Sequence, residues 1–121
     1  MNAVVSTITQ LLPAEIITTD PEQITLYSQD VFTVGPPICA VVRPRNIDEV
    51  QALVRACLER GTPIVTRGGG MSYTSGYIAS APDSVLIDMA SMEAIVEVNL
   101  EDRYVTVEAG CSWQKLYEHL A

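Results

Sequence analysis

The ten residues RGGGMSYTSG, Arg67 to Gly76, follow a short apolar segment, Pro63-Ile64-Val65-Thr66, and their reading decides the fold. Three consecutive glycines carry an entropic cost that a chain accepts where the backbone needs positive φ or approaches another group too closely for a Cβ. A phosphate is such a group. Successive free N–H groups form an anion-binding concavity without net positive charge, and Ser72 and Thr74 add hydroxyl donors. Taken alone, the loop reads equally well as an anion site and as a tight turn.

Upstream, Gly35-Pro36-Pro37 punctuates the chain, and Ile38 to Val42 is an unbroken apolar run of strand length, suited to a sheet covered on both faces. A helix follows. Asn46 and Glu49 have the spacing of an N-terminal capping box, Gly61 and Pro63 form a stop, and Val50, Leu53, Val54, Cys57 and Leu58 mark an apolar stripe. Strand, helix and strand in so few residues imply a right-handed parallel crossover. The glycine loop therefore leaves the carboxyl end of a parallel strand, where open α/β sheets bind ligands.

Downstream, Val85-Leu86-Ile87-Asp88 predicts a third buried strand. Ile95–Val98 and Tyr104–Glu108 predict an antiparallel hairpin around Asn99–Arg103. Ser112 caps a last helix whose apolar side is Trp113, Leu116, Tyr117 and Leu120. No Gly, Lys or Pro closes that helix at Ala121, so the chain is expected to continue. Residues 1–35 read as an acidic, irregular lead with one short helix over Val4–Leu12, and 36–121 as a lobe of a larger domain.

Composition limits the partners. Seven Lys and Arg against fifteen Asp and Glu give a net charge of -8, which argues against nucleic acid and anionic membranes. Charged residues are only 18% and mean hydropathy is +0.22, an apolar surplus that points to a face for docking more protein, either the rest of the domain or another subunit. Cys39, Cys57 and Cys111 form neither a disulfide pattern nor a zinc pattern. With no signal peptide or transmembrane run, the cytoplasm is the default compartment.

Two familiar nucleotide motifs fail. A GxGxxG beginning at Gly68 would need glycine at Tyr73, and no Lys-Ser or Lys-Thr follows as a P-loop requires. The flanking pattern is more specific: Val42-Arg43-Pro44 with Asp48-Glu49-Val50, Arg67 to Gly76, Leu86-Ile87-Asp88-Met89 and Val107-Glu108-Ala109-Gly110. From about Tyr27 to Ala121 the chain resembles the FAD-linked oxidases of the vanillyl-alcohol oxidase and p-cresol methylhydroxylase superfamily, with the glycolate oxidase and D-lactate dehydrogenase branch nearest.

That resemblance implies an α/β (α+β) fold: the first lobe of a PCMH-type FAD-binding domain, with a small parallel βαβ sheet, an antiparallel hairpin and flanking helices. It implies FAD held by Gly68, Gly69, Gly70, Met71 and Ser72 around the diphosphate, with Gly76 and Tyr77 following toward the flavin. Arg67 either contacts phosphate or pairs with a carboxylate behind the loop. Met71 stands where members that attach FAD covalently have histidine, so FAD is expected to be noncovalent. Ser75 stands where family loops often have glycine, which leaves the turn at Ser75 or Gly76.

No catalytic acid, base, nucleophile or metal ligand is assigned. His119 reads as exposed, Trp113 and Tyr117 as packing residues, and Asp88 and Glu108 as braces at strand ends. The expected activity is oxidation of a hydroxy acid or alcohol by hydride transfer to FAD, with the small-molecule substrate contacted by residues beyond Ala121. The alternative is a noncatalytic FAD-lobe remnant serving as a structural or partner-binding module.

Overall fold

The computed structural model describes residues 2–121. The two unbroken apolar runs form the centre of a four-stranded sheet. Strand β2 (Ala40–Val42) and strand β4 (Val85–Asp88) are buried at every position. They pair in parallel, Ala40 opposite Val85 and Val42 opposite Ile87. On the far side of β4 lies β3 (Ile64–Arg67), also parallel, with Arg67 opposite Asp88. The strand order therefore inserts β4 between β2 and β3, the two strands that the crossover helix joins.

Strand alternation sorts the core into two layers. Ala40, Val42, Val85 and Ile87 face one side, with Leu53, Ala56, Cys57, Val4, Val5 and Ile8. Val41 and Leu86 face the other, with Tyr27, Ile38 and Ala79. Both faces are covered, as continuous hydrophobic strands require.

Helix α3 (Ile47–Glu59) joins β2 to β3 and begins at Asn46, whose Oδ1 accepts from the Glu49 N–H at 2.9 Å. The reciprocal bond of the capping box is displaced by one residue: the Glu49 carboxylate accepts from the Arg45 N–H at 2.9 Å and pairs with the Arg45 guanidinium at 2.6 Å. At the other end Gly61 takes φ +64°, while the Thr62 N–H reaches the Cys57 carbonyl at 2.9 Å and the Gly61 N–H reaches Leu58 at 3.1 Å. This Schellman closure satisfies the final carbonyls. The buried stripe is narrower than expected, because Val54 is 39% and Leu58 77% exposed, and Ala56 is buried in their place. Helix α1 (Ala3–Leu11) packs on that face, and the small side chain of Ala56 admits it.

The expected irregular lead is largely regular. Besides α1 it contains strand β1 (Ile17–Thr18), antiparallel to β2, and helix α2 (Pro21–Tyr27), capped by Asp20. Val4, Val5, Ile8, Leu12 and Ile16 belong to the same core as the sheet. Beyond β4, strands β5 (Ile95–Asn99) and β6 (Tyr104–Val107) form the predicted hairpin, with a register irregularity between Ile95 and Glu97. Helix α4 (Trp113–Leu120) starts at Ser112, whose hydroxyl oxygen accepts from Lys115 N–H at 3.2 Å. It buries no residue: Trp113 and Tyr117 are 77% and 72% exposed and form a tilted pair with ring centres 6.5 Å apart, in place of the core packing expected of them. Among the described residues no helix is long and apolar enough to cross a membrane.

Candidate functional site

The chain leaves β3 at Arg67, at the carboxyl end of the parallel strands, and the glycine loop begins there. Its three glycines answer to three different demands. A Cβ on Gly68 would lie 3.3 Å from the Ala109 carbonyl oxygen. Gly70 takes φ +75°, and a Cβ on it would run into the Arg67 guanidinium, 2.6 Å from Nε and 2.8 Å from Cζ. Gly69 has neither requirement: its φ is not positive, and nothing lies within 4 Å of the Cβ position. Nothing among the described residues explains a glycine at 69, so the space beside it is available to a group from outside.

The backbone here is receptive to an anion. The N–H groups of Gly69, Gly70 and Met71 have no hydrogen-bond partner among the described residues. Ser72 organises the next turn. Its Oγ accepts from Gly76 N–H at 3.0 Å and from Thr74 N–H at 3.3 Å, which leaves its O–H hydrogen free to donate. The left-handed residue is Ser75, at φ 58°, so the turn falls there and Gly76 does not take it over.

Gly68, Gly69, Gly70, Met71, Ser72 and Tyr77 line a groove of about 520 Å³ whose opposite wall is Cys111, Ser112 and Trp113. No acidic side chain lines it, so the charge of -8 resides elsewhere and the N–H groups and the start of α4 set the local field. Six of the eight residues expected around a cofactor thus share one groove. Gly76 lies behind it, bonded to Ser72, and Arg67 lies beneath it.

Arg67 forms no ion pair with a carboxylate among the described residues; its guanidinium carbon lies 4.5 Å from the Tyr27 ring centre and 5.3 Å from that of Tyr77. Tyr77 is buried, and its hydroxyl donates to the Gly70 carbonyl at 3.0 Å. Tyr27 donates to Asp88 Oδ2 at 2.9 Å and accepts from Arg43 Nη2 at 2.7 Å, while Arg43 Nη2 also reaches Asp88 at 2.9 Å. Burial works against the Arg43 charge, but Asp88 and Tyr27 outweigh it and hold its pKa above the ordinary value. Asp88 also accepts from Ala90 N–H at 3.0 Å, and Glu108 from Ala94 N–H at 3.0 Å, so both brace strand ends.

Sequence reasoning did not identify the groove's far wall or Tyr27 and Arg43. The parallel register was the available signal for Arg43, since it puts the residue after Val42 beside Asp88, the residue after Ile87. His119 is exposed, and the described residues contain no group of His, Cys, Asp and Glu that would hold a metal.

A glycine loop with free N–H groups, at the carboxyl end of parallel strands in a sheet packed on both faces, is an arrangement suited to a nucleotide cofactor. A family model described as FAD binding domain matches residues 38–121, and the chain belongs to that family. It is 38% identical over 80 residues to the mitochondrial D-lactate dehydrogenase [cytochrome] of Arabidopsis thaliana, covering 66% of this chain and 14% of that sequence. It is 35% identical over 71 residues to glycolate oxidase subunit GlcD of Bacillus subtilis, covering 59% of this chain and 15% of the relative. In fold it matches a crystal structure of p-cresol methylhydroxylase with substrate bound, with a TM-score of 0.81 and 23% identity, over 97% of this chain and 24% of that one. The chain therefore spans less than a quarter of each of these three proteins. FAD is the cofactor of the family, and the mixed α/β lobe with its partly parallel sheet and antiparallel hairpin is the family's fold.

Proposed function

We propose that this chain is the diphosphate-holding part of a flavin-dependent oxidoreductase that oxidises a hydroxy acid or an alcohol. The observation that carries the reading is Gly69, a glycine that neither backbone conformation nor intramolecular packing requires, set between two free N–H groups in an acid-free groove. Gly68, Gly69, Gly70, Met71 and Ser72 would hold the diphosphate through backbone N–H groups and the Ser72 hydroxyl. Tyr77 would close one side of the groove, and Arg67 and Gly76 would support the loop from behind. Bound FAD supplies hydride acceptance. The chain's own residues bind and orient, and none of them is offered as acid, base or nucleophile.

Met71 is 66% exposed at the loop, and its thioether forms no bond to the flavin ring, so this loop would hold FAD noncovalently, and we favour noncovalent FAD unless residues outside this chain attach it. Substrate contacts would fall to residues outside this chain, and its own apolar surplus would dock the rest of the FAD domain or another subunit. Three free cysteines fit a reducing compartment, and the cytoplasm is the location we favour. The test is the visible spectrum of the purified intact protein, followed by acid precipitation. Flavin absorption that passes entirely into the supernatant supports the reading. A folded, colourless protein that takes up no added FAD overturns it, and colour that stays with the pellet overturns noncovalent attachment.

A further inference from the structure

The one cation at the loop is not aimed at the groove. The flat Arg67 guanidinium lies against the Tyr27 and Tyr77 rings, at 4.5 and 5.3 Å from their centres, and Gly70 rests directly on it. Both rings are themselves fixed. Tyr27 is tied by its hydroxyl to Asp88 at 2.9 Å and to Arg43 at 2.7 Å, and Tyr77 is tied to the Gly70 carbonyl at 3.0 Å. Each layer supports the next: Arg43 and Asp88 hold Tyr27, both tyrosine rings contact Arg67, and Arg67 with Tyr77 holds the left-handed backbone at Gly70. A planar delocalised cation fits this stack, whereas the point charge of a lysine on a flexible stem does not.

We infer that Arg67 is a positioning residue whose stack with Tyr27 and Tyr77 preorients the Gly69, Gly70 and Met71 N–H groups for the diphosphate. Its charge is used against the tyrosine rings and not against the phosphate. The inference rests on the reading of this loop as the FAD diphosphate site. Tyr27, from the first 35 residues, thereby becomes part of the machinery of a loop forty residues later. A preformed loop avoids the ordering cost that binding would otherwise carry.

The test uses the intact protein with Arg67→Lys, Arg67→Met and Tyr77→Phe. Two quantities are read: the rate of chymotryptic cleavage after the exposed Tyr73 in FAD-free protein, and the FAD dissociation constant at low and high salt from flavin fluorescence. Arg67→Lys is expected to be cut about tenfold faster and to bind FAD about tenfold more weakly, as Arg67→Met does, with the parent's salt dependence retained. Tyr77→Phe, which keeps the ring and loses only the bond to Gly70, is expected to fall between, and it carries the test if the Arg67 variants do not fold. Parental cleavage in Arg67→Lys and Tyr77→Phe overturns the clamp. Parental FAD affinity in Arg67→Lys with loss only in Arg67→Met overturns it in favour of direct charge contact. A parent protein that binds no FAD overturns the proposed function instead, and the cleavage rates still decide the clamp.

Discussion

Substituting alanine at adjacent glycines separates what the fold needs from what the ligand needs. At Gly70 the backbone stands at φ +75° and an added Cβ runs into the Arg67 guanidinium. The left-handed conformation alone costs a residue with a Cβ about 1–2 kcal/mol, and displacing Arg67 adds to it. At Gly69 the Cβ would meet nothing within 4 Å and φ is not positive. Gly69→Ala should therefore leave stability unchanged or raise it by about 0.4–1 kcal/mol, because the unfolded chain loses freedom. Its methyl, however, fills the space beside two N–H donors. Losing one or two charge-assisted hydrogen bonds to an anion costs about 1.5–3 kcal/mol, or roughly ten- to a hundredfold in affinity. Urea unfolding and fluorescence titration of FAD, applied to both variants of the intact protein, measure the two effects separately. The reasoning is refuted if Gly69→Ala binds FAD like the parent, or if it unfolds as readily as Gly70→Ala.

Three further expectations follow from individual residues. Ser75 sits at φ 58°, so Ser75→Gly should stabilise the protein by about 0.5–1 kcal/mol in urea unfolding, and a clear loss of stability would contradict the strain assigned there. The N–H groups of Phe32 and then Thr33, at 2.9 and 2.6 Å from Asp30 Oδ1, hold the Asp30 carboxyl below its ordinary 3.8. A depressed carboxyl stabilises the fold above its unfolded value and loses that contribution as pH falls through the folded one. The 30–33 turn should thus loosen only below about pH 4, seen as faster proteolysis there in the parent and at neutral pH in Asp30→Ala. Burial first, then Asp83, raises the Cys39 thiol to about 11, and burial, then Cys39, raises Cys57 to about 11 against the usual 9.0. Two units mean about a hundredfold less thiolate, so alkylation of both near pH 8 should be markedly slower than in urea, by about that order. Equal rates in the two conditions would show that these thiols are not protected.

How much of this was legible in the sequence depended on whether the signal was local. Ile38–Val42 and Val85–Asp88 announce buried strands because a covered sheet face selects apolar residues at every position. Helix α3 carries its own caps at Asn46 and Gly61, so its ends were readable within a residue or two. The insertion of β4 between β2 and β3 is a long-range pairing with no local residue to mark it. Strand β1 has two residues and helix α2 seven, too few for a periodic pattern, and only the pairing of β1 with β2 and the packing of Ile24 and Tyr27 on Val41 and Leu86 make them regular. The stripe on α3 was misjudged at Val54 and Leu58 because the facing helix favours the small Ala56, a choice made by the partner.

The site divides in the same way. Arg67 to Gly76 declared itself through glycines that ordinary strand-to-loop connections do not use. Cys111, Ser112 and Trp113 close the groove from some forty residues away, and nothing in their own neighbourhood foretells it. The role of Arg67 was open between phosphate and carboxylate, and the stack on Tyr27 and Tyr77 is a third arrangement that only the folded chain brings about.

The central claim is that the free backbone N–H groups of this loop hold the diphosphate of FAD. A crystal structure of the intact protein with FAD tests it most directly. The account predicts diphosphate oxygens within hydrogen-bonding distance of the Gly69, Gly70 and Met71 nitrogens, with Arg67 still lying against the Tyr27 and Tyr77 rings. A diphosphate bound elsewhere, with the loop from Gly68 to Ser72 left facing solvent, would contradict it.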